Sequence, residues 1–506
     1  MVAHRSAIFD LNRIRSHVNQ LTIRSPWLWI STAALTIRVP LLFLPNPGRD
    51  EAAYFYWSHH FEPAYSFLMQ LVVRLFGWLP VSDLFAMRLP ALLLGILVIF
   101  LLDILLQLRG VNYSFRCMAL LLFAFSPWQS NFGVFLNPDN FLVAVLLFFL
   151  LAVIREQLLP AALFSGIAVL AKPTGILLIP AGWFIIFAAK NLIIRRKFLY
   201  GLIPVIFLLP VILSIRKEMI FAMLEFGKLN SLLPMWEILA FQLALVVVGG
   251  GPILLFFAAV GLKQRLRTKN LPHHLKLENM AVLVIAACTF IIFGAAIVLN
   301  SQVKYNWILP ALVILWPTQP IPIKKYILIP AIVLSMGLGI FQNVMKLNPR
   351  WVSQIEDSLP ALRSIFALKG GAREANVSAS RSWTEHALEF QSMDGFVGQI
   401  EMIWEQFGSG KPLQWIISDD YGLAAQLVFG LGNENVGMIL PKDGIFARTL
   451  SEDAVELSGG IIILAVHRDA RSVWEQIDVS RIQRIPHPVT GQLLSVGIPN
   501  RAMSSN

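Results

Sequence analysis

Charge is scarce in this chain: only 14% of its 506 residues are Asp, Glu, Lys or Arg, where a soluble domain carries roughly a quarter. That scarcity excludes an ordinary soluble globular protein. Cysteine is scarcer still, with two in all. Cys117 and Cys288 both lie inside apolar runs, which excludes a disulfide framework. No Gly-rich phosphate loop opens any helical pattern of the carboxyl-terminal region, so nucleotide binding is not expected there. No internal repeat relates the two halves, and no Gly/Pro-broken spans occupy matching positions, both of which are common in transporters. What the chain does have is hydrophobicity, at 56% of residues and a mean hydropathy of +0.66. Apolar runs near the ~20 residues that cross a bilayer fill most of the first 345 positions. The pattern predicts a polytopic α-helical membrane protein.

Eleven spans are expected, at about 27–45, 88–108, 115–134, 139–154, 159–171, 175–190, 198–215, 236–262, 280–299, 307–319 and 326–345. The fifth and sixth share the break Ala171-Lys172-Pro173-Thr174-Gly175 and can be read as one segment. Orientation follows from the basic residues. Of 27 Lys and Arg up to position 345, 18 fall on one side, among them Arg5, Arg109, Arg116, Arg155, the 190–197 cluster, the 263–276 loop and Lys324-Lys325. That side is read as cytoplasmic, so the amino terminus is inside a plasma membrane and the region after the eleventh span is outside. Residues 1–26 are polar and basic with no apolar core, and are read as a retained cytoplasmic segment.

From about 346 to 506 the character changes. The first 345 residues hold 27 basic and 12 acidic side chains (+15) and the remainder 14 and 18 (−4), which sum to the net +11. The basic excess therefore flanks the membrane and does not mark a nucleic-acid surface. Apolar runs of strand length, Leu413 to Ser418 and Gly460 to Val466, alternate with helical patterns at Gly395 to Phe407, Tyr421 to Leu431 and Arg468 to Ile477. A small extracytoplasmic α/β domain is expected.

A few polar points interrupt the apolar frame on the outer face. Asp50-Glu51 follows the first span, within a 46–87 loop rich in Tyr, Trp and Phe that is expected to form amphipathic helices on the outer surface. The pair is either a solvated helix flank or chemistry; a carboxylate there would suit deprotonation of an attacking hydroxyl. Asp139 in Asn137-Pro138-Asp139 suits a helix amino terminus. Alternatively it faces Asp50 across a cavity, where like charges would raise one carboxyl's pKa. Lys172 either snorkels to the interface or binds a lipid phosphate, with Thr174 as a further donor. Lys304, in Gln302-Val303-Lys304-Tyr305-Asn306-Trp307, is either a flanking charge or a second phosphate ligand. Arg88 at the start of the second span is read as structural. Asp419 and Asp420 read as a helix cap.

These residues resemble the GT-C integral-membrane glycosyltransferases, in the bacterial branch related to protein O-mannosyltransferases and lipid A aminoarabinose transferase. The similar segments are Arg49-Asp50-Glu51-Ala52-Ala53-Tyr54, Met87 to Gly95, Asn137-Pro138-Asp139, Ala171 to Gly175, and Asn306-Trp307 with Pro310. The resemblance covers roughly 25 to 345 and implies a 27–345 catalytic membrane domain. It implies transfer of a hexosyl or pentosyl group from a polyprenyl-phosphate-linked donor on the outer face, with inversion. By the same resemblance Asp50 is the base or the acceptor-positioning carboxylate, Glu51 supports it and Asp139 helps shape the site. Lys172 and Lys304 would hold the donor phosphate. The expected partners are the lipid-linked donor, membrane lipids and an acceptor of unspecified class, with no nucleic acid. No cofactor is required outright. A divalent metal is left open, since His59, His60 and the carboxylates are ligand types, although no spacing resembles a dedicated zinc site. Where many relatives carry His-Pro-Pro, this chain has Glu62-Pro63-Ala64-Tyr65. The alternative reading is a transporter or flippase for a lipid-linked substrate; the absent repeat and the one-sided charges oppose it.

Overall fold

The computed structural model describes residues 25–60, 66–189, 192–214, 252–267, 271–298, 309–315, 325–358, 390, 393–407, 410, 412–418, 421–432, 436–439, 460–465, 479–486 and 493–499. The chain opens with α1 (Pro26–Arg38) and a 3-10 turn (Val39–Leu42). Two short helices follow, α2 (Arg49–His59) and α3 (Phe67–Phe76). The long α4 (Asp83–Leu108) starts where the Ser82 hydroxyl accepts from the Phe85 N–H at 3.4 Å. Next come α5 (Tyr113–Ala124), α6 (Pro127–Phe132), α7 (Pro138–Ile154) and α8 (Leu158–Ala171). A second 3-10 turn (Pro173–Leu177) leads to α9 (Leu178–Ala188) and α10 (Ile194–Ser214). The described membrane region ends with α11 (Pro252–Arg267), α12 (His273–Val298), α13 (Leu309–Ile314), α14 (Lys325–Leu347) and α15 (Pro349–Ser358).

This is a multi-pass membrane protein. Among the described residues four helices are long and apolar enough to cross a bilayer: Asp83–Leu108, Ile194–Leu213, His273–Ile292 and Ile329–Leu347. The others are shorter apolar helices, α7 and α8 among them. The expected third span, 115–134, is not one helix. It breaks between α5 and α6 because Pro127 has no N–H to donate backward and its ring crowds the preceding turn. Ser126 caps the new helix, accepting from Gln129 N–H at 3.2 Å. The unbroken hydropathy of the region hides a Ser-Pro helix start of the usual kind.

Helix α7 lies at the centre, with nearly every side chain buried, and packs against α4, α8 and α12. Helix α10 is the contrary case. It exposes Phe198, Leu199, Leu202, Ile206, Leu209 and Leu213, an apolar surface suited to a hydrocarbon solvent.

At one end of the bundle Glu278 of α12 binds both Arg109, just past α4, and Arg265 of α11, the latter at 3.1 Å. Arg116 pairs with Asp103 at 2.7 Å close by in sequence. Arg109, Arg116 and Arg265 are among the residues placed on one face by the charge count, and the bundle joins Arg109 to Arg265 through one carboxylate. Burial pushes the Arg109 guanidinium down to about 10, with Glu278 opposing that shift.

The region after the membrane helices carries α16 (Asp394–Phe407), β1 (Leu413–Ser418), α17 (Tyr421–Leu431), β2 (Gly437–Ile439), β3 (Gly460–Ala465), β4 (Val479–Pro486) and β5 (Leu493–Pro499). They form a five-stranded sheet in the order β2-β1-β3-β5-β4. β1 pairs parallel with β2 and β3, with Ile416 opposite Met438 and Ile462. β5 pairs antiparallel with β3 and β4, with Val496 opposite Leu464 and Gln483. The helical pattern at 468–477 lies outside the described residues. Helix α17 fills the gap between the sheet and α2, so the sheet unit sits directly on the loop that carries Asp50.

Candidate active site

Helix α2 is built to be held rigidly. Its N-cap, Gly48, packs so tightly that a Cβ there would lie 2.7 Å from Cε1 of Phe390. Glu51, at the third helical position, reaches back to the Gly48 N–H at 3.4 Å. The same carboxylate accepts from the Leu136 N–H at 2.9 Å and from Arg88 at 3.1 and 2.8 Å. Arg88 is fully buried and also donates to the carbonyls of Leu41 at 2.8 Å, Pro45 at 2.7 Å and Asn46 at 3.3 Å. One ion pair thus ties together the end of α1, α2, α4 and the loop before α7. The fork shape of the guanidinium makes this possible.

Glu51 is therefore a clamp. Both of its oxygens are engaged by Arg88 and by the Gly48 and Leu136 N–H groups. Asp50, one residue earlier, is exposed on the first turn of α2, where the helix dipole favours its charge. From Glu51 to Ser58 the helix is buried throughout. Helix α3 is half covered: it exposes Leu71 and Leu75 and buries Met69, Gln70 and Val73. The expected picture of a surface amphipathic helix does not fit α2, which is enclosed by α3 on one flank and α17 on another.

Asp139 and Lys172 are brought together. Asn137 caps α7 by accepting from the Asp139 N–H at 2.8 Å, and the fully buried Asp139 carboxylate binds Lys172 Nζ at 2.5 Å. Lys172 ends α8. The turn after it folds back because Gly175 has no side chain; a Cβ there would run into the carbonyl of Ala168. Ser66, just before α3, ties down the same turn by donating to the Ala171 carbonyl at 2.7 Å. Asp139 thus meets an opposite charge, and the reason is geometric: the α8 break delivers the Lys172 ammonium to the start of α7.

Lys304 and its neighbours lie outside the described residues, as do Asp419, Asp420 and the Glu62-Pro63-Ala64-Tyr65 segment. Among the described residues no three His, Cys, Asp or Glu side chains gather as a metal site. His59 instead places Nδ1 3.0 Å from the Phe55 carbonyl, and His60 stacks on Tyr56 at 4.4 Å.

Sequence reasoning missed Lys346, in the last turn of α14. It is buried, binds Asn131 of α6, and holds its ammonium 3.5 Å from the Phe135 ring centre and 4.6 Å from that of Phe390. Arg88 lies over the same Phe135 ring at 4.7 Å. A lysine at the carboxyl end of the last apolar run was the available signal, and it was absorbed into the start of the next region.

Residues 60–215 match the family model described as dolichyl-phosphate-mannose-protein mannosyltransferase. That stretch includes Asp139 and Lys172 and begins after Asp50 and Glu51. No curated protein matches the chain by sequence. Two solved structures of ArnT from Cupriavidus metallidurans are similar over nearly their whole length. The one bound to undecaprenyl phosphate has a TM-score of 0.50 at 13% identity, covering 95% of this chain and 99% of that one. The apo form gives 0.49 at 13% identity, covering 95% and 98%. The chain thus shares the fold of the ArnT structure bound to undecaprenyl phosphate and, over residues 60–215, the sequence pattern of the mannosyltransferase family model.

Proposed function

We propose that this protein is a glycosyltransferase of the plasma membrane that takes a hexosyl or pentosyl group from a polyprenyl-phosphate donor. It passes that group to a lipid, protein or glycan hydroxyl on the outer face. Eleven crossings would place the amino terminus in the cytoplasm and the sheet unit outside, beside the reaction. The observation that carries the reading is the contrast within α2: Asp50 is exposed at the first turn of a helix that is buried from Glu51 to Ser58 and braced by a four-way ion-pair clamp. Such an exposed carboxylate on a rigid support suits a general base.

In the proposed reaction Asp50 takes the proton of the acceptor hydroxyl as its oxygen attacks the anomeric carbon. The bond from that carbon to the phosphate oxygen breaks, and polyprenyl phosphate leaves with the electron pair. A single displacement inverts the anomeric centre. Lys172 and Lys304 would meet the charge that grows on the departing phosphate. Asp139 holds Lys172 at 2.5 Å and so would set its direction, while Glu51 sets that of Asp50. The ArnT structure bound to undecaprenyl phosphate supports a polyprenyl phosphate as the leaving group here. The test is substitution: transfer unchanged in both Asp50→Asn and Lys304→Ala would show the site to be misplaced.

A further inference from the structure

We propose that the face of the carboxyl-terminal sheet unit formed by Gly422, Gln426, Phe429 and Met438, with Phe390, positions α2 and thereby sets where Asp50 stands. This rests on the reading of Asp50 given above. The contacts run along the whole helix. At its start, the ring of Phe390 presses on Gly48. Just before it, the Gln426 side-chain amide donates to the Pro47 carbonyl at 3.0 Å, both groups being buried. In the middle, Phe55 meets Phe429 edge-on at 5.1 Å between ring centres. Near its end, the Tyr56 hydroxyl accepts the backbone N–H of Met438, in β2, at 2.7 Å.

The tightest point lies one residue from Asp50. A Cβ at Gly422 would fall 2.1 Å from Nε, 2.7 Å from Cβ and 2.9 Å from Cγ of Arg49. Nε can swing aside, but Cβ is fixed to the α2 backbone, so full relief requires α2 or α17 to move. The membrane side of α2 is fixed by Arg88 through Glu51. Another side meets this face of the sheet unit through Gln426, Phe429 and Met438. A helix gripped from two sides keeps a carboxylate at its rim in place, and a displacement of about 1 Å at a reacting group costs on the order of a hundredfold in rate.

Gly422→Ala separates positioning from stability, because a merely structural α17 leaves exchange in α2 unchanged whereas the clamp requires it to rise. Alanine inside a helix is intrinsically better than glycine, so a merely structural α17 would hold or gain thermal stability with α2 undisturbed. Full-length protein in lipid nanodiscs is compared as wild type, Gly422→Ala and Tyr56→Phe. The melting temperature, the amide hydrogen exchange of residues 49–59 and the turnover of an undecaprenyl-phosphate-linked hexose are read together. The expected result is exchange in α2 faster by about tenfold in each variant, from one lost or strained buried contact, with the melting temperature within a few degrees of wild type. Turnover should fall about ten- to a hundredfold in kcat, with the KM for donor unchanged. Exchange in α2 equal to wild type in both variants would overturn the proposal. Faster exchange in α2 without any turnover by the wild type would leave the clamp standing and overturn the transferase reading instead.

Discussion

Replacing Arg88 by methionine should be among the most damaging single changes in the membrane region. The guanidinium is fully buried and makes five hydrogen bonds, two of them to Glu51 at 3.1 and 2.8 Å and three to the carbonyls of Leu41, Pro45 and Asn46. Methionine retains much of the volume, so the loss is electrostatic. Glu51, at 4% exposure, would keep only the N–H groups of Leu136 and Gly48. Breaking a buried pair by removing one partner costs about 3–5 kcal/mol. Removing both partners leaves no orphaned charge, so Arg88→Met with Glu51→Met should be more stable than Arg88→Met alone, with a coupling of about 2–3 kcal/mol. The assay is unfolding by sodium dodecyl sulfate titration in mixed micelles, run on wild type, both single variants and the double. A loss under about 1 kcal/mol for Arg88→Met, or additivity of the two changes within about 0.5 kcal/mol, would refute the clamp.

Three further outcomes follow from the same geometry. Lys172→Met should destabilise by about 3–5 kcal/mol because it strands the fully buried Asp139 carboxylate; adding Asp139→Asn should recover part of that in the same titration. Gly175→Ala should cost at least about 1–3 kcal/mol by forcing a Cβ against the Ala168 carbonyl, seen as a lower melting temperature in detergent. Phe135→Leu keeps an apolar side chain but removes the ring shared by Lys346 at 3.5 Å and Arg88 at 4.7 Å. It should cost about 1–2 kcal/mol, more than the size change alone, and Lys346→Met should then add little.

The membrane architecture was legible because it is a bulk property. Scarce charge and long apolar runs report the solvent around a helix, and basic residues report its side. Arg109 and Arg265, which the charge count put on one face, meet at one carboxylate, Glu278. The strands β1 and β3 were also legible as short apolar runs, whereas β4, Val-Ser-Arg-Ile-Gln-Arg-Ile-Pro, alternates too strongly with polar residues to stand out in a hydropathy reading. Pairing was not legible. Asp139 and Lys172 each appeared as an isolated polar point, and only the fold brings residues 33 positions apart to hydrogen-bonding distance. The burial of α2 was hidden for the same reason, since its cover includes Gln426, 379 positions from Pro47. The Ser126-Pro127 start of α6 was written in the chain, but a window average over apolar neighbours conceals it.

The central claim is that a lipid-phosphate-linked sugar is consumed at the exposed Asp50. The most direct measurement is turnover of a labelled polyprenyl-phosphate sugar by the purified full chain in lipid vesicles, beside Asp50→Asn. The account predicts release or transfer of the sugar by the wild type. In the variant it predicts a fall of about 10²–10⁴-fold, as expected for loss of a general base, with the fold intact because Asp50 is exposed. Donor that crosses the bilayer intact, at the same rate in both proteins, would contradict it and identify a flippase.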